Sequence, residues 1–270
     1  LILLILSLSW DNSTLLGGKI WTQPSSGSEL LEHPAPFSLI VTYAPPSNRL
    51  NQDQRDWLKH FGIFEQLETV FNQQFQLETP LHLLFQDCGI AQITSQPGLA
   101  QVTLCYELLD YLSRLFDDYS ASLYEQQLAA ADVAYVITLQ HLAPLLWSQL
   151  QLQIPEFFRP YLDSPLLVIL PLLLESSSAD VILSGLLWMH HHGQPLPGLQ
   201  RLPGITDWHQ AEYEYLICLA YGSQPQRAPY LRAEWEAVTI PLPQASQCVQ
   251  QWHHALETWT PPMLELLQPS

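Results

Sequence analysis

The densest cluster of side chains able to do chemistry is a run of three histidines, His190, His191 and His192, in the segment WMHHHGQPLPG. Imidazoles bind transition metals, but consecutive residues at a helix end point in different directions, and no carboxylate lies within five residues of the run. A solvated loop is the expected reading, with the three histidines as weak metal candidates. His253 and Glu257 stand four residues apart, a spacing that places two groups on one helix face. Between Trp252 and Trp259 they are expected to form a hydrogen-bonded pair before they form a metal site. Glu107 heads a helix directly after a strand, where a carboxylate is favoured by the helix dipole, and that role explains it as well as catalysis does. His209, two residues after Asp207 in DWHQAEYEY, reads as part of a helix start and not of a triad. No G-x-S-x-G, phosphate loop or G-x-G-x-x-G occurs, and no cysteine sits in a nucleophile signature.

The four cysteines, Cys88, Cys105, Cys218 and Cys248, include no C-x-x-C pair, so disulfides are expected over metal ligation. Of the three connectivities, the local one joins Cys88 to Cys105 and Cys218 to Cys248, each pair bracketing a loop-rich stretch. Bridges of that span stabilise by roughly 3–4 kcal/mol each in the chain-entropy model. The competing reading is buried free thiols in a reducing compartment.

Composition narrows the partners. Twenty-six acidic residues against nine basic ones leave a formal charge of −17, and neutralising phosphates takes clustered Lys and Arg that this chain lacks. Nucleic acid is excluded as an expected partner, and an anionic membrane surface would repel the chain. With 47% hydrophobic and only 13% charged residues, against about 25% charged in ordinary soluble domains, a folded core is expected.

Several elements must position these residues. Leu1 to Ser9, within LILLILSLSW, read as a signal-peptide remnant, too short for the ~20 residues that span a bilayer; a buried N-terminal element is the alternative. Residues 10–36, with QPSSGSE and HPAP, read as a flexible leader, and residues 37–265 as one domain. Strands are expected at Phe37–Tyr43, Leu81–Gln86 and Gln101–Tyr106. One amphipathic helix is expected over Asp53–Phe75, with Gly62 its weak point. Others are expected at Glu107–Asp118, at Ser122–Leu152 with Pro144 kinking or splitting it, and at Ala179–Met189, Asp207–Tyr221 and Gln244–Trp259. SPLLVILPLLLE, Ser164–Glu175, is interrupted by Pro171 and reads as a core helix, not a membrane span. The fold class is α+β: a mostly helical domain with a small β-sheet in its N-terminal half.

Three stretches together resemble a bacterial family of unknown function classed as putative zinc metallopeptidases, with a signal peptide and a zincin-like HExxH helix. The first is DCG, Asp87–Gly89, followed by VTLCYELLDYL, Val102–Leu112. The second is YEYLICLAYGSQP, Tyr213–Pro225, and the third QCVQQWHHALETW, Gln247–Trp259. In order and spacing they cover most of the chain from Phe37 onward, and the resemblance implies a zincin-like fold with both cysteine pairs.

The departure lies at the chemistry. An HExxH helix presents two His one turn apart as zinc ligands, its Glu as general base, and needs a third ligand from downstream. Aligned through SQLQLQI, Ser148–Ile154, the motif falls on Gln140, His141, Leu142, Ala143 and Pro144. Gln140 stands for the first ligand, His141 for the base and Pro144 for the second ligand. Sliding His141 into either ligand position pairs it with Leu145 or Ile137. No register restores two ligands. Downstream, PEFFRPYLDS retains Glu156 and Asp163 as weak candidates only. The expectation is a catalytically inactive, exported binding or structural protein with no cofactor and a protein or peptide partner. The alternative is an active metal-dependent peptidase with zinc at a relocated site drawing on His141, Glu156 or the triple histidine.

Overall fold

A computed structural model describes residues 38–75, 77–117, 122–150, 179–189, 210–223 and 245–267. Chain order is β1 (Leu39–Tyr43), α1 (Arg49–Phe61), α2 (Ile63–Gln74), β2 (Leu81–Gln86), β3 (Ile93–Gln96), a 3₁₀ turn at Pro97–Leu99, β4 (Gln101–Cys105), α3 (Tyr106–Leu115) and α4 (Leu123–Leu150). Three further helices follow: α5 (Ala179–Met189), α6 (Gln210–Ser223) and α7 (Ala245–Leu267). The class is α+β, as expected. The sheet runs β1-β2-β4-β3. β1, β2 and β4 are parallel, with Val41 opposite Leu83 and Leu83 opposite Val102, and β3 closes the far side antiparallel to β4.

Parallel pairing demands crossovers, and α1 with α2 supplies the first one. A single helix was expected here; the chain makes two, because Gly62 adopts φ 66°, ψ 15° and its N–H donates to the Leu58 carbonyl (3.3 Å), ending α1 and starting α2 at the next residue. Glycine reaches this left-handed conformation freely, while a residue with a Cβ pays about 1–2 kcal/mol. A Cβ at Gly62 would meet nothing within 4 Å, so Gly62→Ala is expected to cost about that conformational amount alone, read as a lowered thermal midpoint.

α2 also finishes the sheet on its side. The Asn72 carboxamide accepts from the Ser38 and Leu39 N–H groups (2.7 Å each) and donates to the Leu39 carbonyl (3.0 Å), while the Glu68 carboxylate accepts from the Val41 N–H (3.1 Å). β3 was not anticipated. Its sequence ITSQ buries only Ile93, so no alternation announces it.

α4 is the central helix. It runs 28 residues, and its Ala, Val, Leu and Ile positions from Ala129 to Leu146 are buried. By length and composition it could cross a membrane, but most of its apolar stretch is buried inside the fold, as for a core helix. Of the kink or split expected at Pro144, the split does not occur: the helix runs on through it. Proline removes one intrahelical hydrogen bond, and Leu139, Leu142, Leu145 and Leu146, fully or nearly buried, hold the helix on both sides of it. α5 lies close enough to α4 that a Cβ on Gly185 would stand 2.3 Å from the Asp132 carbonyl oxygen. α6 and α7 pack as a pair joined by the Cys218–Cys248 disulfide. The expected helix at Ser164–Glu175 lies outside the described residues.

Candidate functional site

The metal motif's positions lie on α4 where it passes β3. Gln140 is half-buried, and its carboxamide oxygen and nitrogen are both buried without a hydrogen-bond partner among the described residues. His141, on the next position, is half-buried and has its Nδ1 2.7 Å from Ser95 Oγ of β3. Ser95 Oγ also lies 3.5 Å from the His141 carbonyl oxygen. Pro144 is exposed, and having no N–H it cannot donate to the Gln140 carbonyl one turn back. This stretch therefore holds a neutral amide, an imidazole with one nitrogen turned to a strand hydroxyl, and a ring with no donor atom.

Zinc takes three or four ligands from thiolate, imidazole and carboxylate. Among the described residues the only group of three such side chains within reach of one another is Cys88, Cys105 and Glu107. Cys88 and Cys105 are joined in a disulfide, so neither sulfur is a thiolate. The Glu107 carboxylate is filled by other donors: Oε2 accepts from the Cys88 N–H (3.1 Å), and Oε1 from the Gly89 N–H (2.9 Å) and the Asn51 amide (3.1 Å). The donors of the described residues do not fit a zinc ion at the motif.

Around Glu107 the chain builds a clamp. Asp87 accepts from the Asn51 amide (2.6 Å) and from the Ser47 N–H. Burial works against its charge, but these bonds from Ser47 and Asn51 hold the Asp87 carboxyl below its ordinary value. Gly89 sits at φ 77°, turning the chain so that two successive N–H groups face one carboxylate. The disulfide ties the end of β2 to the end of β4, whose last paired residues are Gln86 and Cys105. DCG and CYEL, parts of the segments that carry the family resemblance, thus form a turn, a bridge and a carboxylate that accepts from the backbone of the turn. Glu107 is hydrogen-bonded on both carboxylate oxygens. Its carboxylate reaches back to the preceding loop, a role that its place at a helix start only hinted at.

The other candidates come out apart. His253 and Glu257 are both exposed on α7, and neither joins a three-residue ligand cluster among the described residues. Glu156, Asp163, His190, His191, His192 and His209 lie outside the described residues. Both expected disulfides are present, Cys88–Cys105 and Cys218–Cys248, and among the described residues there is no free cysteine.

Two residues escaped the reading of the sequence. Ser95 had no signal, since its strand had none. Asp132 is 4% exposed within α4, and its place as the last acidic residue before a long uncharged stretch was the available sign. Its carboxylate accepts from Ser184 Oγ of α5 (2.5 Å). Burial, opposed only by that hydrogen bond, pushes its pKa up to about 7.

No curated protein and no solved structure matches the chain. A family model described as putative metallopeptidase matches residues 43–263, a span that takes in every helix and strand described above except most of β1 and the end of α7. The chain belongs to this putative metallopeptidase family.

Proposed function

We propose that this chain is a non-catalytic member of its family, an exported binding or structural module whose HExxH site has been lost. The observation that carries the reading is the trio on α4: Gln140 with an unpartnered amide, His141 against Ser95, and the exposed Pro144. A metallopeptidase needs zinc to lower the pKa of a bound water to about 7, and these three positions supply no pair of ligands to hold it. Export is supported by the two disulfides, which persist in oxidising compartments. Its proposed partner is a protein or peptide, and no cofactor is needed.

The test is metal stoichiometry. Protein stripped with chelator, resupplied with zinc and freed of excess is expected to hold far less than one zinc per chain by elemental analysis, and to leave casein intact. Equimolar zinc together with chelator-sensitive cleavage would overturn the proposal and favour a relocated site that uses His141, Glu156 or the triple histidine.

A catalytic helix keeps residues that stability alone would not choose, and Pro144 offers a check on whether this one is still under such demand. Pro144→Ala restores an N–H for the Gln140 carbonyl. Interior proline costs a helix ~3 kcal/mol, less the ~0.4–1 kcal/mol by which proline restrains the unfolded chain. The variant is expected to be about 2–2.5 kcal/mol more stable by denaturant titration.

A further inference from the structure

We infer that the Asp132 carboxyl, buried in the seam between α4 and α5, is a proton-controlled latch: it lets the two helices pack tightly when protonated and loosens the seam when it ionises. The geometry is that of a single polar joint in an apolar seam. Asp132 is 4% exposed, its neighbours Ala131, Val133 and Val136 are fully buried, and on the other side Ile182, Leu183 and Leu186 are buried. Ser184 Oγ donates across the seam at 2.5 Å. The next residue, Gly185, brings the α5 backbone against the Asp132 carbonyl, so the two helices approach closely at this joint.

A carboxylate in such a place needs either a proton or a cation, and among the described residues no cationic group makes an ion pair with Asp132. On α5 the only charged residue is Asp180, one turn before Ser184. On α4, Glu125 bonds to Ser122 and His141 to Ser95. On α3, Glu107 holds the Cys88–Gly89 turn and Asp110 pairs with Arg114. On α2, Glu68 caps β1, and Glu65 faces Tyr43 of β1. On α1, Lys59 lies over the Tyr43 ring and Arg55 pairs with Asp56, while Arg49, Asp53 and His60 complete its charges. β2 carries His82, and β3 and β4 carry no charged residue. Burial and the Ser184 hydroxyl are the two influences on Asp132. Apart from the Ser184 hydroxyl, nothing among the described residues compensates its charge, so below neutrality a proton does.

The sign follows from the folded value of about 7 against an ordinary 3.8. As pH rises above about 4, the unfolded chain loses this proton while the folded chain keeps it, so the folded state is disfavoured progressively until the folded group itself ionises near 7. The latch is fully fastened under acid conditions and weakest above neutrality. α4 also carries Gln140 and His141, so the proton governs how firmly that helix is braced by α5.

The experiment compares the full chain with Asp132→Asn, which keeps the shape and a hydrogen-bonding partner for Ser184 without the charge. Unfolding midpoints are followed from about pH 5 to about pH 8. The wild-type folding constant is expected to fall relative to that of the variant by up to about tenfold per pH unit over this range. Ionisations elsewhere affect both proteins and cancel in the difference. Profiles that stay parallel would overturn the latch. Ser184→Ala guards against a variant that fails to fold: loss of the hydroxyl's bond to the charged form should move the inflection to higher pH, and an unmoved inflection would count equally against the proposal. Amide exchange, corrected for intrinsic pH dependence, should show α5 losing protection above the inflection in wild type alone.

Discussion

Gly222→Ala is expected to destabilise the protein by about 2 kcal/mol or more, lowering the thermal midpoint by about 4–8 °C for a chain of this size. A Cβ at Gly222 would stand 2.2 Å from the Cys248 carbonyl oxygen and 2.8 Å from Trp252 Cβ, far inside contact distance. Relief would require α6 and α7 to part. They cannot do so freely, because Cys218, one turn before Gly222 on α6, is bonded to Cys248 itself. The disulfide and the glycine fix the same crossing, one by pulling the helices together and the other by giving the backbone room to arrive. Alanine gains about 1 kcal/mol over glycine as a helix former, so a neutral result would mean that the clash is relieved by a small shift. Adding a reductant separates the two contributions: with the bridge opened, the penalty for alanine should shrink. A penalty unchanged by reduction would show that packing alone sets the crossing.

Glu107→Ala carries the second large effect, a loss of about 2–3 kcal/mol. It would strip an acceptor from the Cys88 and Gly89 N–H groups and from the Asn51 amide. Buried donors left unpaired cost about 1–3 kcal/mol each, and the exposure of Gly89 allows water to replace part of the loss there. Glu107→Gln is the informative companion. Its amide can turn an oxygen to only one of the two N–H groups, and its own NH₂ then faces the other donor, so glutamine should recover part of the stability and no more. A proton-transfer role would predict the opposite pattern, full stability with lost activity. Denaturant titration of both variants, with a thiol count to verify that Cys88 and Cys105 remain bonded, distinguishes the two.

Both effects arise in segments that the sequence marks plainly, which bears on what could be read in advance. β2 and α5 match their expected bounds, Leu81–Gln86 and Ala179–Met189, because each is defined locally: alternation after Pro80 in one case, an unbroken apolar run in the other. The break at Gly62 was visible as a weak point but not as a boundary. A single backbone angle decides it, and that angle depends on how α1 and α2 pack. β3 was invisible because a four-residue strand with one buried apolar side chain exists through its pairing with β4, not through its own composition. Everything that rests on β3 was invisible with it, including the contact of Ser95 with His141. At the motif, the letters alone reveal that HExxH is absent, whatever register is tried. They do not reveal that the Gln140 amide is buried without a partner, since tertiary packing around α4 sets that burial.

The way α2 closes the sheet has a consequence for self-association. A parallel strand at the edge of a sheet normally offers its free N–H and C=O groups to any other extended chain, and proteins must blunt such edges to avoid aggregation. Here the outward N–H groups of Ser38, Leu39 and Val41 and the Leu39 carbonyl are already occupied by Asn72 and Glu68 of the same chain. Two side chains do the work of a neighbouring strand, and they are fixed in a helix that cannot slide along β1. A second molecule pairing along the first half of β1 would first have to displace them, so filament growth and strand exchange are opposed on that side.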